Sequence, residues 1–272
     1  MPWYFLEASP WEEAEEEEIL KVIPSMGLIA EPILRRLQPV NQTTIVKIFL
    51  SATMFATSEL SPTMVDLKTS AQEQIEYMLT EDAPLLTADE DIKSKVRQYF
   101  KGLLSRFTNT VKSACETGDM YKFQSFLVDM SWACQILAKL ELLKNFVENW
   151  MDASENLVKA IDNISQSQQV DTLETKLKVI EITSKVLEAI AYGRVILPTV
   201  KRLHMVRYWL PFVKSLKSSI DSLTTDENDY LVVKIDGEIW QSLESSFVSI
   251  ILALPSGEQA KILSEWLANK HI

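Results

Sequence analysis

Histidine and cysteine are the side chains of this 272-residue sequence best suited to act as base, nucleophile or zinc ligand, and each occurs twice. His271 stands at the end of the sequence, so a nucleophile–histidine–acid arrangement would have to use His204. No serine or cysteine stands in a recognisable nucleophile motif. Cys115 and Cys134 also lack the paired spacing of zinc ligands. We therefore expect a protein that is not an enzyme and holds no metal.

Acidic side chains near residue 226 offer one further kind of metal site. Asp226 and Asn228 begin like a calcium-binding loop, but Tyr230 replaces the third oxygen ligand and Leu231 the required glycine. Residues 226–229 are the nearest match to the aspartate clusters with which helical enzymes hold magnesium, and no second cluster accompanies them. A solvated turn is the favoured interpretation, and we expect no cofactor.

A basic stretch in the last third of the chain contrasts with an otherwise acidic sequence and is interleaved with aromatic residues. It could receive an acidic partner, a phospholipid head group or the chain's own glutamate run at residues 12–18. Intramolecular pairing or plain solvation is the favoured alternative. As a hypothesis, we assign partner binding to four of its residues: Lys201, Arg202, Arg207 and Trp209.

Composition narrows the class of protein. Glycine occurs only 6 times, well below its average share of about 7%, which argues against many tight β-turns and against glycine-rich nucleotide loops. The net charge of −11 disfavours nucleic acid as a partner. No signal-peptide pattern opens the sequence, and no apolar run is long enough to span a membrane. We expect an intracellular protein of the cytoplasm, the nucleus or both.

Apolar residues recur every three or four positions along nearly the whole chain, which predicts helices. The Ser-Pro pair at residues 61–62 is a helix-start signal, and Gly193 stands where a C-cap glycine belongs. Pro198 and Pro211 punctuate the next segment, and residues 231–235 form the one strand-like run. We predict an all-α fold: about ten antiparallel helices in a bundle or solenoid-like array, with at most one short strand.

The longest periodic stretch covers residues 131–164. Its core positions follow a four-three spacing through about four heptads, as in a coiled coil or in a long helix packed within a bundle. Leu137, Leu142 and Phe146 widen the apolar face, so the intramolecular interpretation is favoured. We call this row of positions the seam: Ile136, Leu140, Leu143, Val147, Trp150, Ser154, Leu157 and Ile161.

The polar residues 165–172 are the best linker in the sequence because they offer almost nothing to bury. They predict an N-terminal helical subdomain of residues 1–164 and a C-terminal helical subdomain of residues 173–272. One continuous helical domain is the alternative that stays open.

Five segments resemble the C-terminal helical region of plant BTB/POZ domain-containing proteins. They span essentially the whole chain in the family's order and are too idiosyncratic to arise from helical composition alone. The matching segments are residues 3–18 (WYFLEASPWEEAEEEE), 71–85 (AQEQIEYMLTEDAPL), 129–140 (DMSWACQILAKL), 178–210 (KVIEITSKVLEAIAYGRVILPTVKRLHMVRYWL) and 236–266 (DGEIWQSLESSFVSIILALPSGEQAKILSEW).

The resemblance implies an adaptor, in which a BTB domain contacts a cullin and the helical remainder recognises a target. Because the chain begins inside the helical region, we expect no BTB domain in it and no cullin binding by this polypeptide alone. We expect a non-catalytic protein-interaction module, the target- or partner-binding part of a BTB-type adaptor in protein ubiquitination.

One alternative is a free-standing helical scaffold that binds proteins without a ubiquitination role. Another is a helical enzyme or lipid-binding protein with an internal cavity.

Overall fold

A computed structural model describes residues 42–81, 83–117, 120–164, 169–223 and 237–268, together with Glu18 and Lys21. These residues contain ten α-helices and no strand, which confirms the all-α prediction. The strand-like residues 231–235 lie outside the described part. In chain order the helices are α1 Gln42–Ala56, α2 Val65–Glu81, α3 Ala83–Ala88, α4 Glu90–Thr117, α5 Met120–Lys139, α6 Leu143–Ile164, α7 Gln169–Ala191, α8 Thr199–Leu223, α9 Gly237–Leu252 and α10 Ser256–Ala268.

The chain separates into two units, Met1–Ile48 and Phe49–Ile272, and the core and site described below lie in the second. Helices from both sides of the predicted linker pack together there, since α6 contacts both α7 and α8. Helix α7 begins at Gln169, inside the predicted linker, and residues 165–168 lie outside the described part. The division into subdomains 1–164 and 173–272 stays a prediction.

Residues that favour helix ends stand at the observed boundaries. Ser61 is an N-cap whose Oγ accepts a hydrogen bond from the backbone N–H of Thr63, and the 3₁₀ turn Pro62–Met64 leads into α2. Gly193 follows α7 with a φ of 73°, in the left-handed region that glycine adopts without strain. Both predicted boundary signals are confirmed.

Alternate helices pack side by side and run in the same direction. Asn149 Nδ2 of α6 donates a hydrogen bond to Thr108 Oγ1 of α4 at 3.1 Å, and Cys115 Sγ of α4 donates one to the Asn156 carbonyl of α6 at 3.0 Å. Both contacts join positions 41 residues apart, so the two helices advance together.

The same relation joins α7 to α9. Ser184 Oγ lies 3.3 Å from Ser242 Oγ, and Ser249 Oγ donates to the Ala191 carbonyl at 3.2 Å, so both contacts join positions 58 residues apart. Helix α6 also packs on α8, and α5 on α7. The result is two rows, α4–α6–α8 and α5–α7–α9, built from helical hairpins stacked in order, which supports a solenoid-like array over a simple bundle.

The seam is buried within the unit but divided between two helices and the turn that joins them. Its eight side chains are each at most 9% exposed, which confirms the intramolecular interpretation. The prediction of one long helix is wrong, because α5 ends at Lys139 and α6 begins at Leu143. The backbone N–H of Leu142 bonds to the Leu137 carbonyl at 2.7 Å and that of Glu141 to the Ala138 carbonyl at 3.2 Å, the two bonds of a Schellman motif.

Glu141 closes this motif with a φ of 60°, a conformation that costs a residue with a Cβ about 1–2 kcal/mol. We expect Glu141→Gly to raise the free energy of unfolding by about 0.5–1 kcal/mol in urea denaturation, part of the relief being lost to the freer unfolded chain. Its matched control is Gly193→Ala, which should lower the free energy of unfolding by about 1 kcal/mol. Nothing lies within 4 Å of the added Cβ, so the loss comes only from the strain of alanine in the left-handed conformation. A destabilised Glu141→Gly variant would contradict this reasoning.

Pro211 does not interrupt its segment, contrary to the sequence-based expectation. Helix α8 passes through it without a break, although a proline removes one backbone donor and leaves the carbonyl four residues earlier without its helical partner. Pro211 is exposed, whereas Trp209 and Phe212 beside it are buried. Packing of these aromatic neighbours therefore keeps the helix continuous, while solvent can reach the proline side.

Aromatic rings of α4, α6 and α8 form one stacked cluster in the core. Trp150 lies 5.5 Å from Phe107, 6.1 Å from Phe146 and 6.4 Å from Trp209 between ring centroids, with nearly parallel planes. Phe212 meets Trp209 edge to face at 5.7 Å. Stacked aromatic pairs contribute stability beyond the free energy gained by burying apolar area. This cluster therefore stabilises the packing of α4, α6 and α8 on one another.

Burial raises the pKa of the Cys134 thiol to about 11. Thiolate, not thiol, is the reactive form, and an ordinary cysteine has a pKa near 8.5. We therefore expect iodoacetamide at pH 8 to label Cys134 at least roughly a hundredfold more slowly in the folded protein than in urea. Mass spectrometry of the labelled peptide measures this rate. The half-buried Cys115 serves as the internal comparison, and equal rates for Cys134 in both states would contradict the burial argument.

Candidate protein-binding groove

The predicted partner-binding cations all lie on the first three turns of α8, and each contacts another part of the same unit. Lys201 Nζ lies 3.7 Å from an Asp152 carboxylate oxygen, and Arg207 lies 3.5 Å from Glu258 of α10. Arg202 donates to the Ala253 carbonyl after α9 at 3.2 Å. Lys201 and Arg207 keep about two fifths of their side chains exposed, so both remain available to solvent. Their role in partner binding stays a prediction.

Trp209 lies apart from these cations, in the core. Its side chain is fully buried, and its Nε1 donates a hydrogen bond to Ser154 Oγ at 2.8 Å. The proximity of Trp209 to the basic residues in sequence is therefore not proximity on the surface, because successive residues on a helix point in different directions. Its position in the structure is that of an anchor between α6 and α8.

Helices α8, α9 and α10 enclose an apolar groove on the surface of the unit. One end, of about 440 Å³, has Val213, Leu243 and Phe247 at its base and Trp240 at its side. The adjoining end, of about 770 Å³, runs between α8 and α10, and both ends share Leu210, Lys214 and Ile262 in their lining. We call this feature the α8–α10 groove.

Two branched aliphatic side chains of the groove lining are more than half exposed to solvent. Val248 of α9 is 56% exposed and Leu263 of α10 is 54% exposed. A single exposed apolar residue is ordinary on a protein surface, but these two border a concave apolar lining. That combination is typical of a site that binds an apolar face of another molecule.

Cations outnumber carboxylates around the α8–α10 groove. Lys217 lies 2.9 Å from Glu244 and 5.7 Å from the centre of the Trp240 ring. Within the described part of the chain, the charged lining residues are Arg207, Lys214, Lys217 and Lys261 against Glu244 and Glu265. The groove therefore carries a local positive excess in a chain whose net charge is −11.

A polar cluster lies on α6 and α8 beside the first cations. The Lys159 ammonium, 2.6 Å from Glu155, lowers the pKa of that carboxyl, and Tyr208 donates to the same carboxylate. This hydrogen bond raises the pKa of the Tyr208 hydroxyl. The His204 ring lies 4.5 Å from the Tyr208 ring between centroids, with the two planes tilted by 51°, so the histidine serves as a packing surface for its neighbour.

Sequence reasoning missed the groove because its walls come from three helices. A signal was nevertheless present in α9, where apolar residues occur on more than one face. A helix with a second apolar face needs a second neighbour or leaves that face open. Here Leu243, Phe247 and Ile250 are buried in the unit, whereas Val248 remains exposed beside α10.

Within the described ranges, no three His, Cys, Asp or Glu side chains come together as metal ligands. None of the helices in that part of the chain combines the length and apolar character needed to cross a bilayer.

Comparison with known proteins finds a relative over nearly the whole chain. A BTB/POZ domain-containing protein of Arabidopsis thaliana is 54% identical over an alignment 275 residues long. The alignment covers 97% of this chain and 62% of the relative. The chain thus spans less than two thirds of that relative's length. No family model matches the chain, and no solved structure matches it. The all-helical array and its groove accordingly belong to a chain homologous to part of a plant BTB/POZ domain-containing protein.

Proposed function

We propose that this chain is the partner-binding part of a BTB-type adaptor for a cullin-based ubiquitin ligase, acting by binding rather than catalysis in the cytoplasm, the nucleus or both. The relative's name supports the BTB connection, and the stacked hairpins support protein recognition, because such arrays present long surfaces. In this proposal a BTB domain supplies the cullin contact and this chain supplies the target contact.

The α8–α10 groove is the observation that carries the binding half of the proposal. Its apolar base, its half-buried Trp240 and its exposed Val248 and Leu263 match the usual anatomy of an interface centre. The surrounding cations provide a polar rim that would orient a partner of opposite charge.

A helical scaffold without a ubiquitination role is the second candidate. The stacked array itself favours it, because a solenoid-like surface binds proteins whether or not a ligase is attached.

One experiment separates the two candidates. The chain is tagged in plant cells, and proteins that bind wild type but not the Val248→Glu/Leu263→Glu variant are identified by affinity capture. Their ubiquitination and half-life are then compared between wild-type cells and cells lacking the chain. An adaptor predicts less ubiquitination and longer half-lives without the chain. Binding with unchanged ubiquitination and half-life favours the scaffold.

A further inference from the structure

The length of the α8–α10 groove matches a short helix. Its lining on α8 extends from Val206 to Ser218, 12 residues along the helix. At 1.5 Å per residue this distance is roughly 18 Å, or about three turns of an α-helix. A helix of that length presents apolar side chains at positions i, i+3 or i+4, and i+7 on one face.

The shape of the groove also distinguishes a helix from a membrane surface. Leu243, Phe247 and Ile262 are buried at its base, whereas Val248 and Leu263 are exposed along its edges. Side chains that project from a partner can reach such a recessed base. A bilayer is instead bound by apolar side chains that protrude from a convex face.

The charges around the groove indicate which helix fits. Among the residues that the structure describes, four cationic side chains and two carboxylates line it, and Lys214 lies at both of its ends. Acidic residues beside the apolar stripe of a partner would meet this excess, whereas basic residues there would be repelled.

We propose that the partner segment is an amphipathic helix of about three turns with acidic residues flanking its apolar face. This inference rests on the proposed function. The apolar side chains of the helix enter the groove over Leu243, Phe247 and Ile262. Its carboxylates pair with the cations around the groove.

The test pans the full chain against displayed 16-residue peptides with apolar residues fixed at three helical positions and Glu or Lys randomised beside them. We expect Glu to be enriched at the randomised positions. The enriched peptides are resynthesised with a fluorescent label, and we expect them to bind the full chain in anisotropy titrations. Val248→Glu/Leu263→Glu should weaken binding at least tenfold, while Val128→Glu/Leu252→Glu, at exposed positions outside the groove, should not.

Charge reversal tests the electrostatic part. Lys214→Glu/Lys261→Glu should weaken peptide binding at least tenfold at low salt and less at high salt, because salt screens exposed charges. Lys95→Glu/Lys112→Glu, which makes the same charge change on α4, should leave binding unchanged. Circular dichroism of each variant confirms that it is folded.

Several outcomes would overturn the inference: no enriched peptide, no preference for Glu, or equal binding by the groove variants. It would also be overturned if the groove variants instead lost self-association, binding to anionic vesicles, or hydrogen-exchange protection of residues 224–236. The adaptor proposal fails separately, through unchanged ubiquitination in cells. Acidic peptides that bind the groove beside unchanged ubiquitination would uphold this inference alone.

Discussion

Trp150→Ala is expected to lower the free energy of unfolding by about 3–5 kcal/mol, the range for removing a large aromatic side chain from a packed core. Trp150 is fully buried and stacks on Phe107, Phe146 and Trp209. Its Nε1 also donates to Thr183 Oγ1 of α7 at 3.2 Å, so it joins both rows of helices. The substitution therefore leaves a cavity where α4, α6, α7 and α8 meet.

Urea denaturation followed by circular dichroism measures the loss. Tyr192→Ala removes an aromatic ring from an exposed position and should change stability by no more than about 0.5 kcal/mol. Trp150→Phe keeps a ring but not the donor, and should fall between wild type and Trp150→Ala. A loss below about 1 kcal/mol for Trp150→Ala would mean that the aromatic cluster does not hold these helices together.

Ser154→Ala is expected to cost about 1–3 kcal/mol, although it removes a single oxygen atom. Ser154 is fully buried, donates to the Trp150 carbonyl at 2.9 Å and accepts from Trp209 Nε1 at 2.8 Å. Without the hydroxyl, the indole N–H of Trp209 loses this acceptor in the core. A buried donor left unpaired loses the hydration that it has in the unfolded chain.

A double-mutant cycle with Trp209→Phe separates this contribution from simple packing. Once the indole donor is gone, the further cost of Ser154→Ala should shrink, giving a coupling of about 0.5–3 kcal/mol between the two changes. Ser264→Ala is the surface control, because its exposed hydroxyl donates to the Ala260 carbonyl at 2.8 Å and its removal should cost little. Additive losses at positions 154 and 209 would contradict the role given to this hydrogen bond.

Local sequence signals located several helix boundaries because they act within one turn. Ser61 and Gly193 satisfy backbone groups of their own helices, so their meaning does not depend on distant residues. The turn at Glu141 was missed because it uses a glutamate in a conformation that usually favours glycine. Helix α8 continues through Pro211 because buried neighbours outweigh the loss of one backbone bond.

The prediction for the candidate site had two parts, and the structure separates them. The cations Lys201, Arg202 and Arg207 do lie near the surface, whereas Trp209 lies in the core. Which side of α8 faces inward depends on α6, and a helix rich in both charged and aromatic residues does not reveal its neighbours.

Helix periodicity and capping signals are local properties, so the residues alone were enough to predict the helices and their apolar rows. The resemblance to BTB/POZ domain-containing proteins could also be recognised from the sequence, because long segments of unusual composition match those proteins. Three features became visible only in the folded chain: the turn at Glu141, the hydrogen bond from Trp209 to Ser154, and the cationic, apolar groove between three helices. The hydrogen bond and the groove depend on contacts between residues distant in sequence, which no local pattern specifies. The turn is local, but a glutamate at its left-handed position does not signal it.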